Sequence, residues 1–280
     1  MREDGHLIGS VSGGCIEDDL ADKARNNELP QRPTVIEYGV SNNDAHRFGI
    51  PCGGRLQIFV EPLNDSAHFL LLLQNIQQRQ LIKRSVSLST GQAILSQVQP
   101  EGQPRIEGDW FHSYFGPQWR LLIIGANQLG SVLASMAQVL DFDVLICDPR
   151  EEYAATLGSL AQGGVRRVEG MPDDVVRDMV PDDHTAIVAL THDPKLDDMA
   201  LLEALKSQAF YVGALGSQRN QVVRKQRLMD HFDLQAEELE RLHGPVGLSL
   251  GAKTPAEIAV SVVAEIVQVK NRVAATALCT

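Results

Sequence analysis

Leu121-Leu122-Ile123-Ile124-Gly125-Ala126-Asn127-Gln128-Leu129-Gly130 is the stretch that decides the fold. An unbroken apolar run suits a strand buried on both faces, and here a glycine turn follows it at once. Leu129, Val132, Leu133, Met136, Ala137 and Leu140 then recur at helical spacing, and Asp143-Val144-Leu145-Ile146-Cys147 returns to strand character. The stretch therefore opens a βαβ unit. Further strands are expected over 165–168, 185–190 and 209–213, with helices over 151–161, 172–179 and 196–207. Strands alternating with helices predict a parallel, doubly wound sheet, so the C-terminal half reads as a Rossmann-like α/β domain. Its last helix carries its own start signal in Thr254, Pro255 and Glu257 and is expected to run to about Arg272, with 273–280 frayed.

The glycine turn sits where a dinucleotide-binding loop must sit. In that fingerprint one glycine makes the turn, a second admits the pyrophosphate to backbone, and a third lets helix and strand pack closely. Gly125 and Gly130 take the outer places, and Asn127 stands in the middle one, its side chain in space the pyrophosphate would use. Asp148 closes the next strand, where a carboxylate can hold a ribose hydroxyl, and Arg150 beside it leaves the choice between NAD and NADP open. Two readings stand: NAD(P) binding, or Gly125 and Gly130 serving helix–strand packing with Asp148 a solvated strand-end residue.

Two more turns should open on the same carboxyl edge, where open α/β sheets bind ligands. The first is Thr191-His192-Asp193, in which His192 could carry a proton or, with Asp193, a metal, although Asp197 and Asp198 read better as the start of the next helix. The second holds Ser217 and Arg219, read either as a capping residue with a neighbouring cation or as an anion site. The glycine-rich stretch 244–251 ahead of the last helix reads as a tight connection or a second anion site with Lys253.

The N-terminal half reads as a smaller α+β domain. Strands are expected at 6–11, 34–38, 55–60, 83–89 and 93–98, a helix from Ile16 to Asn26 and another over 66–79; 99–104 is a loop or linker, and Gly116-Pro117 the domain boundary. Gly13, Gly14 and Cys15 place a thiol where a glycine turn becomes a helix, a setting that favours thiolate, with Glu17 in the first turn. Cys52, Gly53 and Gly54 repeat the pairing of cysteine with glycines. Such segments suggest either a pocket of exposed N–H groups with soft sulfur donors, or two buried structural cysteines beside turns. The spacing fits no structural zinc pattern.

A net charge of -11 argues against nucleic acid and anionic lipid surfaces as partners. The longest apolar run, Phe69 to Leu73, falls far short of a membrane span, and the acidic start of the chain does not read as a signal peptide, so a cytoplasmic protein is expected. Four cysteines, at 15, 52, 147 and 279, are too scattered for a disulfide framework.

The combination of Gly9-Ser10-Val11-Ser12-Gly13-Gly14-Cys15-Ile16-Glu17, Cys52-Gly53-Gly54, Leu190-Thr191-His192-Asp193-Pro194 and Tyr211-Val212-Gly213-Ala214-Leu215-Gly216-Ser217 resembles the XdhC/CoxI family, accessory proteins of xanthine dehydrogenase and related molybdenum hydroxylases. Gly247-Leu248 and Ala264-Glu265-Ile266 extend the likeness over nearly the whole chain. The resemblance implies an N-terminal XdhC/CoxI-type domain over 1–116 and a Rossmann-like domain over 117–280. It also implies a non-catalytic factor that binds molybdenum cofactor, assists its sulfuration and inserts it into an apo-hydroxylase. The apo-hydroxylase and a cysteine desulfurase are the implied partners. The competing expectation is an NAD(P)-dependent oxidoreductase built on the Rossmann-like domain. Two departures stand out: Asn127-Gln128 where relatives have Gly-His, and a start so close to the first motif that the usual first strand is expected to be missing. That leaves an open sheet edge, which a homodimer could bury.

Overall fold

The computed structural model describes residues 1–11, 14–39, 55–63, 66–98, 102–232 and 234–277. The chain divides into two compact units, Met1–Gly116 and Pro117–Thr280.

The second unit is a parallel six-stranded sheet with helices on both faces. Its elements run β7 (Arg120–Ile124), α3 (Gln128–Val139), β8 (Asp143–Cys147), α4 (Ala154–Gln162), β9 (Arg166–Arg167), α5 (Pro172–Met179), β10 (Thr185–Ala189), α6 (Pro194–Lys206), β11 (Tyr211–Ala214), α7 (Gln218–Phe232), α8 (Ala236–Glu240), β12 (Leu242–His243) and α9 (Pro255–Ala277). The spatial order β12-β11-β10-β7-β8-β9 is that of a dinucleotide-binding fold, with the order reversing between β7 and β10. β7 and β10 are buried at every position because both faces are covered. Strand alternation divides the core: Leu121 and Ile123 pack with Ala134 of α3 and Ile266 of α9, while Leu122 and Ile124 pack with Leu201 and Leu205 of α6. Fully burying a leucine or isoleucine contributes about 1.5–3 kcal/mol, so this central layer dominates the stability of the unit.

The first unit is built from α1 (Cys15–Arg25), β1 (Thr34–Tyr38), β2 (Leu56–Val60), α2 (Ser66–Gln77), β3 (Ile82–Ser87), β4 (Ala93–Gln97), β5 (Arg105–Glu107) and β6 (Trp110–Phe115). β1 and β2 form an antiparallel pair on which Ile16 and Leu20 of α1 pack. The other strands form a four-stranded antiparallel sheet in the order β4-β3-β6-β5.

Two expectations need correction. Residues 6–11 form no strand: Gly9 has φ +88, and Ser10 and Val11 bond to the Glu17 carboxylate instead of to a neighbouring strand. Residues 273–277 continue α9 rather than fraying, in keeping with the high helix propensity of their alanines. α6 starts at Pro194, capped by the Asp193 carboxylate, which accepts from the Lys195 N–H at 2.9 Å. Asp197 therefore lies in the first turn, as expected, and both it and Asp198 are buried. Among the described residues no helix is long and apolar enough to cross a membrane.

Candidate functional site

In the first unit the glycine turn is organised by one carboxylate. Glu17 Oε1 accepts from Ser10 Oγ and from the Val11 N–H, both at 2.7 Å, and Oε2 accepts from the Gly14 N–H at 3.0 Å. The helix α1 thus starts at Cys15 with the preceding loop folded back onto its first turn, a capping-box arrangement with glycine at the cap. Cys15 is exposed with a free thiol, and no described residue comes within 4 Å of a Cβ built on Gly14. A cavity of about 980 Å³ runs along the same loop, between Gly9, Ser10 and Val11 on one side and Ile58 and Val60 of β2 on the other. Glu61, at its edge, is held by the buried Arg84 in a bidentate pair. Gly13, Cys52, Gly53 and Gly54 lie outside the described residues, so the expected meeting of Cys15 with Cys52 has no geometry here.

In the second unit the carboxyl edge of the sheet collects Gly125, Asn127, Gly130, Asp148, Arg150 and Thr191. Gly125, at φ +118, lies so close to the β10 turn that an added Cβ would sit 3.1 Å from the Thr191 nitrogen. A Cβ on Gly130 would meet the Gly125 carbonyl oxygen, so this glycine is required for packing helix on strand. Asn127 caps α3: its Oδ1 accepts from the Gly130 N–H at 2.9 Å and its Nδ2 donates to the Leu190 carbonyl at 2.6 Å. The Asp148 side chain is wholly buried and paired with Arg150, which also donates to the Thr191 carbonyl at 3.4 Å and stacks over the Tyr153 ring. Burial works to raise the Asp148 pKa. The bonds from Arg150 and the Ala126 N–H outweigh it and hold the carboxyl below its ordinary value.

The β10 turn is fixed from beneath. Asp197 Oδ1 accepts from Thr191 Oγ1 at 2.6 Å and from the Thr191 N–H at 3.1 Å, and Thr191 Oγ1 accepts from the Asp193 N–H at 3.0 Å. Arg224 of α7 then joins the loops, donating to Asp197 and Asp198 and to the Leu215 carbonyl. Burial is the larger influence on Asp197 and raises its pKa in spite of these bonds. The exposed His192 occupies left-handed backbone at φ +63, a strained conformation for a non-glycine residue, and persists because its neighbours on both sides are pinned. Ser217 Oγ accepts from the Asn220 N–H at 3.2 Å as a cap, and Arg219 is exposed beside it. Among the described residues no cluster of three His, Cys, Asp or Glu could hold a metal ion.

Two groupings escaped the sequence reading. The Asp197–Asp198–Arg224 clasp joins positions 26 and 27 residues apart, and no local pattern announces it. Glu265 of α9 accepts from Tyr211 Oη at 2.5 Å and from the Gly247 N–H at 2.7 Å, and lies 3.2 Å from His243 Nδ1. It ties the last helix to the sheet.

Fold and sites together define a Rossmann-type unit preceded by a small α+β unit with a glycine–cysteine turn. The XdhC Rossmann domain model matches residues 121–266, and the XdhC and CoxI family model matches 1–39. The chain belongs to the XdhC family. It is 27% identical to the molybdenum cofactor insertion chaperone PaoD of Escherichia coli, over 96% of this chain and 76% of that protein. It is 26% identical to a Bacillus subtilis protein named as a probable xanthine dehydrogenase subunit, over 98% of this chain and 88% of that one. A crystal structure described as a xanthine dehydrogenase from Bacillus halodurans superposes with a TM-score of 0.76 at 25% identity, covering 96% of this chain and 84% of its own.

Proposed function

We propose that this chain is a maturation factor that holds molybdenum cofactor as cargo and passes it to an apo-hydroxylase of the xanthine dehydrogenase type. The observation that carries the reading is the likeness, along 96% of the chain, to a protein named as an insertion chaperone for that cofactor. The described residues of the glycine turn fit such a cargo. Cys15 offers an exposed sulfur, a soft donor suited to molybdenum or to the dithiolene that carries it. Among the described residues no side chain fills the space beside Gly14, and Glu17 fixes the loop without occupying that space. Cys15 is the residue assigned to cargo contact, with Cys52, Gly53 and Gly54 as the second half of the site. Sulfuration would require a sulfur donor such as a cysteine desulfurase acting while the cargo is held.

The test is retention of the cargo. The chain is produced in a cofactor-making host and purified, and bound molybdenum is measured by elemental analysis and bound pterin by its fluorescence after oxidation. The wild-type chain is expected to carry both, and Cys15→Ala to lose at least about tenfold of each, since removing the sole soft donor of the turn removes its strongest interaction with the metal. Cys147→Ala, a change in the core of the other unit, is expected to keep them. A Cys15→Ala protein with a full load would overturn the assignment.

A further inference from the structure

The fold of the second unit implies a nicotinamide dinucleotide, and the residues present do not fit one. We infer that this Rossmann unit takes no NAD(H) or NADP(H), because its own Asn127, Asp148 and Arg150 occupy the positions from which a dinucleotide is held. The inference is independent of the cargo reading.

A Rossmann unit needs a carboxylate with free lone pairs for the ribose, helix N-terminal amides for the pyrophosphate, and an open crevice where the strand order reverses. The carboxylate, one of the helix amides and the crevice are already used here. Asp148 Oδ1 accepts from the Arg150 N–H at 3.2 Å and from Arg150 Nε at 2.8 Å; Oδ2 accepts from the Ala126 N–H at 2.8 Å and from Arg150 Nη2 at 2.7 Å. A carboxylate has about four acceptor positions, so no place remains for a ribose hydroxyl. The Gly130 N–H, in the first turn of α3, is bound by Asn127 Oδ1 rather than turned toward a ligand. The crevice between the β7 and β10 turns is bridged twice, by Asn127 Nδ2 on the Leu190 carbonyl and by Arg150 Nη1 on the Thr191 carbonyl. The 2′-phosphate of NADP(H) fares no better, because the guanidinium that would receive it is already committed to the Asp148 carboxylate, which would repel the phosphate.

Titration with NADH and NADPH, followed by nicotinamide fluorescence, together with thermal melting in the presence of NAD⁺ and NADP⁺, tests this on the full chain. The wild-type protein is expected to show no saturable binding and no rise in Tm up to about 1 mM, a concentration that would visibly stabilise against any ligand of about 10 µM Kd. Saturable binding of any of the four below that concentration overturns the inference. The Asn127→Gly, Arg150→Ser double variant clears the bridge and frees two acceptor positions on Asp148, those filled by Arg150 Nε and Nη2. It is expected to bind NADH at least tenfold more strongly than wild type. A folded double variant with no gain would show that these side chains are not the obstacle. If the double variant melts early, Asn127→Gly alone gives the same comparison for the crevice.

Discussion

Cys15 and Cys147 show how differently one residue type behaves in two settings. Cys15 stands exposed at the start of a helix, whereas Cys147 closes β8 with no exposure, and burial together with the charge of Asp148 pushes its thiol up to about 12. Iodoacetamide at neutral pH is therefore expected to alkylate Cys15 and leave Cys147 unmodified until the protein unfolds, as peptide mapping will show. Glu17 sets the loop that presents Cys15. Glu17→Gln weakens charge-assisted bonds to Ser10, Val11 and Gly14 and should cost about 1–2 kcal/mol of local stability, read as faster hydrogen exchange at the Val11 and Gly14 amides. Asp148 adds a pH dependence whose sign is fixed by its lowered pKa. The stability from its pairing is complete above the ordinary value of 3.8 and is lost as pH falls through the lower folded value. Replacing it by Asn should flatten the acid limb of the Tm profile below about pH 4 while lowering Tm at neutral pH. Retention of the wild-type slope would count against this account.

At the scale of elements, the clasp between α6 and α7 is the interaction whose loss should cost most. Arg224 is buried with two carboxylates, at 3.3 Å from Asp197 and 3.2 Å from Asp198. Asp198 keeps its pair with Arg227, but removing Arg224 leaves the buried Asp197 without a counter-charge, so Arg224→Leu should destabilise by about 3–5 kcal/mol in urea unfolding. Arg25→Ala, which breaks an exposed pair with Asp22, should change stability by no more than about 1 kcal/mol. The contrast also marks what a sequence discloses. β7, α3 and β8 were legible because an apolar run, a helical period and a second run follow one another without interruption, and α5 was read to its ends from Pro172 to Met179. The β5–β6 hairpin was not. Its Trp110-Phe111-His112-Ser113-Tyr114-Phe115 segment lacks the clean alternation of a half-buried strand, since both faces are partly covered. Strand β12 has only two residues, too few for any period to register. The candidate site was partly legible: glycines and Asp148 announced the edge of the sheet, but that Arg150 would close over Asp148 depends on side-chain packing that spacing does not encode.

At the scale of the molecule, the second unit owns two apolar layers, one on each face of its sheet, and a final helix tied back through Glu265. Residues 117–280 produced alone are therefore expected to unfold in a single cooperative transition in thermal melting followed by circular dichroism. A gradual, featureless loss of signal would show that these layers do not suffice. The large sheet tapers from five-residue strands at its centre to two-residue strands, β9 and β12, at its rims. Rims that short offer a passing chain too few unpaired amides to extend the ladder, and the net charge of -11 adds mutual repulsion. Concentrated solutions of this protein should accordingly resist fibre growth seeded from that sheet, with no increase in thioflavin fluorescence on prolonged storage.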